Sequence, residues 1–516
     1  MQDPALSQKL RILALCVGGL LLAIFLGAQI GNSQYAPLLL GAVVVVVSAF
    51  SVFSGRFFWI LTVASSFLEG TFPILRGSFT PFQLLMAIGV AKFVMTDLVL
   101  RRTRIQKPSR CDMVLIGTFM AVLVWHGIHD RFGMKFLGSS VWGGRNYVNV
   151  FVGLAAFFVI LTIPMKAKVW AKLPYVILAV TMFDLAVALI TKIFPGSIYT
   201  IYPFYSAVSS ATLIEIVTGD IDVTERVGAF GNFGFVLIVL MLARVALPRI
   251  LHPSNFFRLV ALATGTCAAI YSGFRTAVLN SLIGIFVAGI RDLKWAVLAV
   301  LPFAALILFG VSFINSEIVS LPKQVQRSLV FVPGHWDSDM VQDARSSNDF
   351  RAKTWNLFLT SYFPAHPFLG RGFGFKSEWG QKSVYKYDPN SSLEVIETGN
   401  IHNGFLATLD CLGILGTIPF VIWNLRLLAK TFKVSSPGKS SEGVALRFLA
   451  IYLTVWIIWY WMGAATVGTF LPREFALAAV FLRLRQEEEE RSDVAGARML
   501  RDQPLRAPDE VTTFSR

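Results

Sequence analysis

Apolar runs long enough to cross a lipid bilayer recur along almost the whole 516-residue sequence, and they constrain the fold more than any other feature. A helix needs about 20 apolar residues to span a membrane. Backbone inside the bilayer must be hydrogen-bonded within helices or within a closed barrel. These runs are continuously apolar and do not alternate, so they predict helices. We therefore expect an all-α, polytopic helical membrane protein with about 12–14 transmembrane helices.

The apolar runs divide the chain into four parts. A transmembrane bundle is predicted over 1–314, a long water-facing loop over 315–403, C-terminal transmembrane helices over 404–484, and a disordered cytoplasmic tail over 485–516. The candidate spans lie near 12–31, 36–54, 57–75, 81–100, 112–128, 147–163, 174–194, 229–247, 257–272, 275–290, 295–314, 404–428, 445–465 and 470–484.

The short loops between these runs are rich in Lys and Arg, which are typical of the cytoplasmic side of a membrane protein. Lys9 and Arg11 predict a cytoplasmic N-terminus. Alternate counting from there puts every strongly basic loop inside and the long loop outside. The net charge of +15 is spread over loop ends and does not form one basic face, so we expect no nucleic-acid partner. The inside loops are Arg101–Arg110, Lys166–Lys172, Arg249–Arg258, Arg291–Lys294 and Lys430–Lys439.

Three arginines, Arg145, Arg226 and Arg275, lie at the outer ends of predicted spans, and each lies beside glycines. Guanidinium groups are always charged and bind phosphate through two parallel hydrogen bonds. The three arginines therefore form a candidate anion site at the outer rim. The alternative is that each reaches the lipid phosphates or pairs with a carboxylate such as Glu225. Gly228, Gly231 and Gly234 follow Arg226 at intervals of three, which predicts a bare helix face open to close packing.

The long outer loop contains nine Lys/Arg and nine Asp/Glu and ends at His402. An imidazole with a pKa of about 6.5 suits a general base at neutral pH. His402 is predicted to begin a helix whose face continues through Gly413 and Gly416, so that the imidazole points at the outer mouth of the bundle. The alternative is an interfacial histidine that caps this helix or binds water. His366, Arg351 and Asn403 are further candidates. The glycines from 370 to 374 are a weak phosphate loop, because no strand precedes them.

Among the charged residues within predicted spans, Lys92 and Asp184 are expected to cost the most free energy. A charge near the middle of a bilayer costs about 2.5–3.5 kcal/mol, so both are expected to face the interior of the bundle. They mark a transport path or play a structural role, and Lys92 is placed to reach the inner surface.

Five motifs follow one another along the predicted outer segments: Arg226-x-Gly228-x-Phe230, Ser272-Gly273-x-Arg275, Arg351-x-x-x-Trp355, His366-Pro367-x-x-Gly370-x-Gly372-x-Gly374, and His402-Asn403-x-x-Leu406 with Gly413-x-Leu415-Gly416. Taken in this order, they resemble the O-antigen ligase / O-antigen polymerase superfamily of membrane glycosyltransferases. The resemblance covers roughly 220–425.

This resemblance implies a GT-C-like enzyme of the bacterial cytoplasmic (inner) membrane that works without a metal or cofactor, with its active site facing the periplasm. Such an enzyme moves a glycan from an undecaprenyl-diphosphate carrier to a hydroxyl on lipid A–core or on another glycan. Arg226 and Arg275 would bind the donor diphosphate, and His402 would activate the acceptor hydroxyl. Arg145 joins them on the charge argument alone. The implied partners are donor, acceptor and membrane lipids.

The sequence leaves three alternatives open. Ligase and polymerase are not separated, although the outer segments lack the Arg and Gly eleven residues apart that some polymerases show. A transporter would gather its polar residues near the midplane, whereas here most lie at the outer rim. An inactive scaffold of a polysaccharide export complex would keep the spans and lose the need for His402 and the arginines.

Overall fold

The computed structural model describes residues 54–72, 79–98, 108–129, 141–202, 204–206, 227–250, 252–376, 392–434, 440–463 and 465–501. The predicted spans near 12–31 and 36–54 lie outside the described residues, as does Arg226.

The described residues are mainly helical. In chain order the helices of the first part are α1 (Phe57–Ala64), α2 (Pro81–Lys92), α3 (Arg110–His129), α4 (Gly144–Thr162), α5 (Ala167–Trp170), α6 (Leu173–Ile193), α7 (Ile198–Ile201), α8 (Gly228–Arg244), α9 (Leu247–Ile250), α10 (Phe256–Tyr271), α11 (Arg275–Leu293) and α12 (Val300–Phe313). The long loop and the C-terminal part contain α13 (Lys323–Leu329), α14 (Ser338–Leu357), α15 (Ser392–Glu397), α16 (Gly404–Phe432), α17 (Ser441–Met462) and α18 (Val467–Arg501), and two short antiparallel strands pair as β1 (Val141–Trp142) and β2 (Phe375–Lys376).

Six helical stretches within the described ranges are long and apolar enough to cross a membrane. They confirm the predicted all-α polytopic membrane protein. The stretches are Arg110–His129, Gly144–Thr162, Ala167–Ile193, Arg275–Leu298, Gly404–Phe432 and Ser441–Met462, and shorter apolar helices cover Phe57–Phe67, Pro81–Met95, Gly228–Arg244 and Ala305–Ile318.

Two predicted boundaries differ from the structure. Helical backbone from α1 ends with a 3-10 turn at Ser65–Phe67, and Leu68 is extended (φ −70°, ψ 123°), where the sequence predicts a span to residue 75. At the C-terminal end α18 continues to Arg501, so the predicted disorder from residue 485 does not hold over 485–501. The Arg485 and Glu489 side chains pair one turn apart at 2.8 Å and support helical backbone there.

The ends of the spans that carry the basic loops meet at one end of the bundle, which we call the basic end. There Arg447, fully buried, binds both carboxylate oxygens of Asp292 at 2.7 and 2.8 Å and donates to the Leu242 carbonyl at 3.0 Å. At the same end Arg426 and Lys430 both bind Asp112. We call the opposite end the cavity end.

The bare face of α8 packs as the glycine spacing predicts. Any side chain at Gly231 would contact Ser272 and Ala277, and one at Gly234 would clash with the backbone of Gly265. Close approach of helix backbones at small residues is typical of membrane helix packing. The Val227 N–H also donates to the Ser272 carbonyl at 3.0 Å, so the turn before α11 lies fixed beside the start of α8.

Helix α16 is broken at Gly413, which has a left-handed φ of 57°. The segment from His366 to Phe373, which we call the docking segment, lies in the break. The N–H groups of Arg371 and Gly372 donate to the carbonyls of Asp410 and Cys411 at 2.6 and 3.0 Å, and the Ile414 and Leu415 N–H groups donate to the Pro367 and Phe368 carbonyls at 2.9 and 3.0 Å. These backbone groups are therefore hydrogen-bonded despite the break, as backbone within a bilayer must be.

The arrangement explains the glycines of the docking segment. Gly370 and Gly372 have left-handed φ values of 77° and 71°, and side chains there would clash with the backbone around Asp410 and with Tyr147. The segment is therefore a backbone insert in a helix break, in agreement with its weakness as a phosphate loop.

Arg371 holds the docking segment to α16 and α15. Its guanidinium binds both oxygens of Asp410 at 2.7 and 2.8 Å, Glu397 at 3.2 Å, and the Ile396 carbonyl at 2.9 Å. The Asp410 side chain is only 2% exposed. Loss of one partner of such a pair leaves a buried charge uncompensated.

We expect Arg371→Ala to lower the stability of the folded protein by about 3–5 kcal/mol, because the Asp410 carboxylate would remain buried without its partner. Thermal unfolding in detergent measures this. Arg345→Ala, at an exposed arginine on α14, is the matched control and should change stability by less than about 0.5 kcal/mol. Equal melting temperatures for the two variants would contradict this account of the docking segment.

Candidate active site

A cavity of about 820 Å³ lies at the cavity end of the bundle. Its wall is built by α2, α4, α8, α11, α14, α17 and α18 together with the turns before α11 and α16. Arg145, Arg351 and His402, three residues that the sequence singles out, line this one cavity. The structure therefore brings together side chains that are more than 200 residues apart in the chain.

His402 lies in a tight turn just before α16, and its backbone has a left-handed φ of 55°. Both neighbours are fixed. The Ile401 carbonyl accepts a hydrogen bond from the Trp355 indole at 3.0 Å, and the Asn403 side chain caps α16 by accepting from the Leu406 N–H at 3.0 Å. His402 thus precedes the helix and does not share a helix face with Gly413, which corrects the expected alignment. Left-handed backbone outside glycine costs free energy and is concentrated at functional sites.

The surroundings of His402 favour a neutral imidazole. The ring is half-buried, and this partial burial lowers its pKa below the usual 6.5. The positive charge of Arg351 also lowers the pKa. Below that pKa the ring is an imidazolium, and above it one ring nitrogen is free to accept a proton. At neutral pH His402 is therefore in the form that a general base requires.

Arg351 and Arg275 bring two positive charges close together. Burial lowers the pKa of Arg351, and the charge of Arg275 lowers it further. Arg275 is the first residue of α11, and its neighbours Phe274 and Thr276 line the cavity. Arg145, on the first turn of α4, is exposed to the cavity. Like charges held near one another in this way favour a bound anion.

Glu69, which the sequence analysis did not single out, lies in the wall of the cavity in the extended stretch after α1. Its pKa is raised from 4.5 to about 7, mainly because the protein encloses the carboxylate and in part because of the negative charge of Asp184, while Arg473 and the hydrogen bond from Asn232 oppose the shift. The Asn232 amide donates to Glu69 Oε1 at 2.6 Å. The sequence does contain a signal for Glu69, because it is a charged residue within the predicted span at 57–75.

Arg473 of α18 also lines the cavity and was likewise placed within a predicted span. Its guanidinium donates to the Ser66 carbonyl at 2.8 Å and lies 4.7 Å from the ring centres of Phe67 and Trp456. These contacts fix the turn that precedes Glu69. Arg473 is therefore a structural part of the wall as well as a nearby positive charge.

The other predicted residues lie elsewhere. His366 is exposed and belongs to the docking segment, and Asn403 caps α16. Lys92 donates to the Gly55 carbonyl at 3.0 Å, away from the cavity. Asp184 is buried, and accepts from the Glu69 N–H at 2.9 Å and from the Tyr205 hydroxyl. Both charges at depth therefore have hydrogen-bond partners within the protein.

Residues 260–421 match the family model described as O-antigen ligase. The match includes Arg275, Arg351 and His402, and it confirms the family resemblance that the motifs indicate. This part of the chain is an O-antigen ligase domain. No curated protein matches the chain.

The fold and this domain together define the class: a multi-pass membrane protein with a glycosyltransferase-type role in polysaccharide assembly. The O-antigen ligase domain includes α11 and α14 and continues into α16, whose preceding turn carries His402.

We expect His402→Gly to be more stable than His402→Ala by about 1 kcal/mol, because glycine adopts a left-handed φ without strain and alanine does not. Thermal unfolding of the two variants measures the difference. Lys353, an exposed residue within α14, is the control, because there the glycine variant should be less stable than the alanine variant by about 1 kcal/mol. Alanine more stable than glycine at position 402 would rule out the strained turn.

Proposed function

We propose that this protein is a glycosyltransferase of the bacterial inner membrane that moves a glycan from an undecaprenyl-diphosphate carrier to an acceptor hydroxyl during assembly of a surface polysaccharide. The observation that carries the proposal is that Arg145, Arg351 and His402 line one cavity. Arg275 lies next to this cavity, and its positive charge lowers the pKa of Arg351. Three of these four residues fall within the O-antigen ligase domain.

The arginines provide the site for the donor diphosphate. Guanidinium groups bind phosphate oxygens in pairs and stay charged at all relevant pH values. As the glycan leaves its carrier, negative charge grows on the diphosphate. Arg145, Arg275 and Arg351 are held by the helices around the cavity, so they stabilise this charge without rearranging. Arg226, on the sequence argument, would join them.

His402 is the proton acceptor in this proposal. A lone pair of the acceptor hydroxyl oxygen forms the new bond to the anomeric carbon while the bond from that carbon to the diphosphate oxygen breaks. The electron pair of the broken bond stays on the diphosphate, and the hydroxyl proton moves to the neutral imidazole of His402. The positive charge of Arg351 lowers the pKa of His402, which supports a proton acceptor close to the arginine that would bind the leaving diphosphate.

The charge distribution supports a site on the periplasmic side of the membrane. The basic end of the bundle is the cytoplasmic side by the positive-inside rule. The cavity end then faces the periplasm, and the polyprenyl tail of the carrier would remain in the bilayer while its diphosphate enters the cavity. Lipid A–core and a second lipid-linked glycan are the two acceptors to be distinguished.

We expect the purified full-length chain to transfer the glycan from an undecaprenyl-diphosphate-linked oligosaccharide in detergent, read as products on a gel. A capped lipid A–core band that needs added acceptor would indicate a ligase, and a ladder without acceptor would indicate a polymerase. His402→Asn should reduce the rate by about 10²–10⁴-fold, because asparagine tolerates the left-handed turn but cannot act as the base. No transfer by the wild-type protein with either acceptor would contradict the proposal and favour a transporter or a scaffold.

The pH dependence of transfer tests the link between Arg351 and His402. The rate should fall as the pH drops through the His402 pKa, which lies below 6.5. Arg351→Gln removes a positive charge that lowers this pKa, so the acid limb should move to higher pH and the maximal rate should fall. Arg345→Gln, on the same helix but exposed, should leave the pH profile unchanged. An acid limb at the same pH in Arg351→Gln would contradict the proposed roles.

A further inference from the structure

Neutral amide side chains make up much of the cavity wall, and the proposed reaction does not use them. Among the described residues that line the cavity, Glu69 is the one carboxylate. Amides both donate and accept hydrogen bonds, and a carboxylate accepts them. The amides are Gln83, Asn146, Asn149, Asn232, Asn280 and Asn400.

The position of Glu69 is fixed by its backbone. Its N–H donates to Asp184 at 2.9 Å, the next N–H, of Gly70, donates to the Tyr205 hydroxyl at 3.1 Å, and Thr71 is bridged to Ser206. Any side chain at Gly228 would approach Glu69 Oε2 to 2.6 Å. The glycine therefore leaves room for a carboxylate that is still exposed to the cavity.

Three of the amides of the cavity wall already have a side-chain partner: Gln83 and Asn149 bind each other, and Asn232 binds Glu69. The Gln83 amide donates to the Asn149 side-chain oxygen. The Asn280 side-chain oxygen is buried and has no hydrogen-bond partner among the described residues. A buried acceptor without a partner costs free energy. A donor such as a hydroxyl on a ligand in the cavity would satisfy it.

The chemistry of this wall selects its ligand. A carboxylate repels a diphosphate and accepts hydrogen bonds from hydroxyl groups, and the amides provide further donors and acceptors. The half-buried indole of Trp459 adds an apolar surface to the same cavity. A neutral sugar ring, with hydroxyls around an apolar face, fits this combination, whereas an anion fits the arginines.

We propose that Glu69, with Gln83, Asn149, Asn232 and Asn280, forms a subsite that binds the hydroxyl groups of a neutral sugar ring. The inference deepens the proposed glycosyltransferase function and rests on it. The sugar belongs either to the donor glycan or to the acceptor, since both present the same hydroxyl chemistry.

A purely structural role for Glu69 makes a different prediction. Its carboxylate lies at the first residue of α8 and binds Asn232 in the next turn, and a negative charge there stabilises a helix. Loss of that role would lower stability without changing the affinity for sugars. Sugar affinity, measured on folded variants, therefore separates the two roles.

The experiment uses the full-length protein in detergent and three probes: bare undecaprenyl diphosphate, the same lipid carrying an oligosaccharide, and lipid A–core. Glu69→Gln should weaken the binding of one of the two sugar-bearing probes by about tenfold or more. The affinity for bare undecaprenyl diphosphate should not fall in this variant. The probe that loses affinity identifies the sugar as donor or acceptor. Glu317→Gln, exposed and away from the cavity, is the matched control and should change none of the three affinities.

The pH dependence gives a second readout. The pKa of Glu69 is about 7, so the hydroxyl-binding carboxylate form prevails at pH 8 and is lost towards pH 6. The wild-type protein at pH 6 should then resemble Glu69→Gln at pH 8, and the variant should show less change between the two values. The charged and titratable groups around Glu69 are Asp184, Tyr205, Tyr452 and Arg473, and across the cavity Arg145, Arg351 and His402.

Asn280→Ala covers the case in which Glu69→Gln does not fold. No hydrogen bond of the Asn280 side-chain oxygen is lost in this variant, and the affinity for the same probe should fall about threefold to tenfold. Unchanged affinity for both sugar-bearing probes in folded Glu69→Gln, or in Asn280→Ala if Glu69→Gln is unfolded, would overturn the subsite. The proposed function fails separately, if Arg351→Gln leaves the affinity for bare undecaprenyl diphosphate unchanged.

Discussion

The break in α16 at Gly413 is the constraint on which the cavity depends. A membrane helix cannot end in the bilayer with free carbonyl and N–H groups, since each would cost several kcal/mol. The docking segment supplies the missing partners from Arg371, Gly372, Pro367 and Phe368, and Arg371 fixes it through Asp410. Because the docking segment also places Phe373 in the cavity wall, the long loop is anchored to the bundle at the point where the site is built.

The anchored loop gives the cavity two chemically different sides. Arg351 and the turn that carries His402 come from the loop, and Arg145 and the Arg275 turn come from the spans. Together they favour an anion beside a neutral imidazole. Glu69 and the four amides of the proposed sugar subsite lie in walls formed by the bundle, where we propose that they form hydrogen bonds with hydroxyl groups. A substrate with a diphosphate at one end and a neutral glycan at the other matches both sides.

Periodicity and charge in the sequence predict the class of fold well, because each span must be apolar for its whole length and each basic loop must stay inside. The outer arginines and His402 could also be identified from the sequence, since they interrupt apolar runs beside glycines. The left-handed turn at His402 and the helix break at Gly413 could not be predicted from the sequence, because both depend on hydrogen bonds from residues about 40 positions away. Glu69 and Arg473 were hidden within runs read as continuous spans. Arg226 and residues 1–53 lie outside the described residues, so their predicted roles stay predictions.

An experimental structure of the full-length protein with an undecaprenyl-diphosphate-linked oligosaccharide bound would test most directly whether the arginines and His402 serve one reaction. We expect the diphosphate within hydrogen-bond distance of Arg145, Arg275 or Arg351, and the anomeric carbon next to His402. Density for the diphosphate at the basic end or near the middle of the bundle, away from these side chains, would contradict the claim that they serve one reaction.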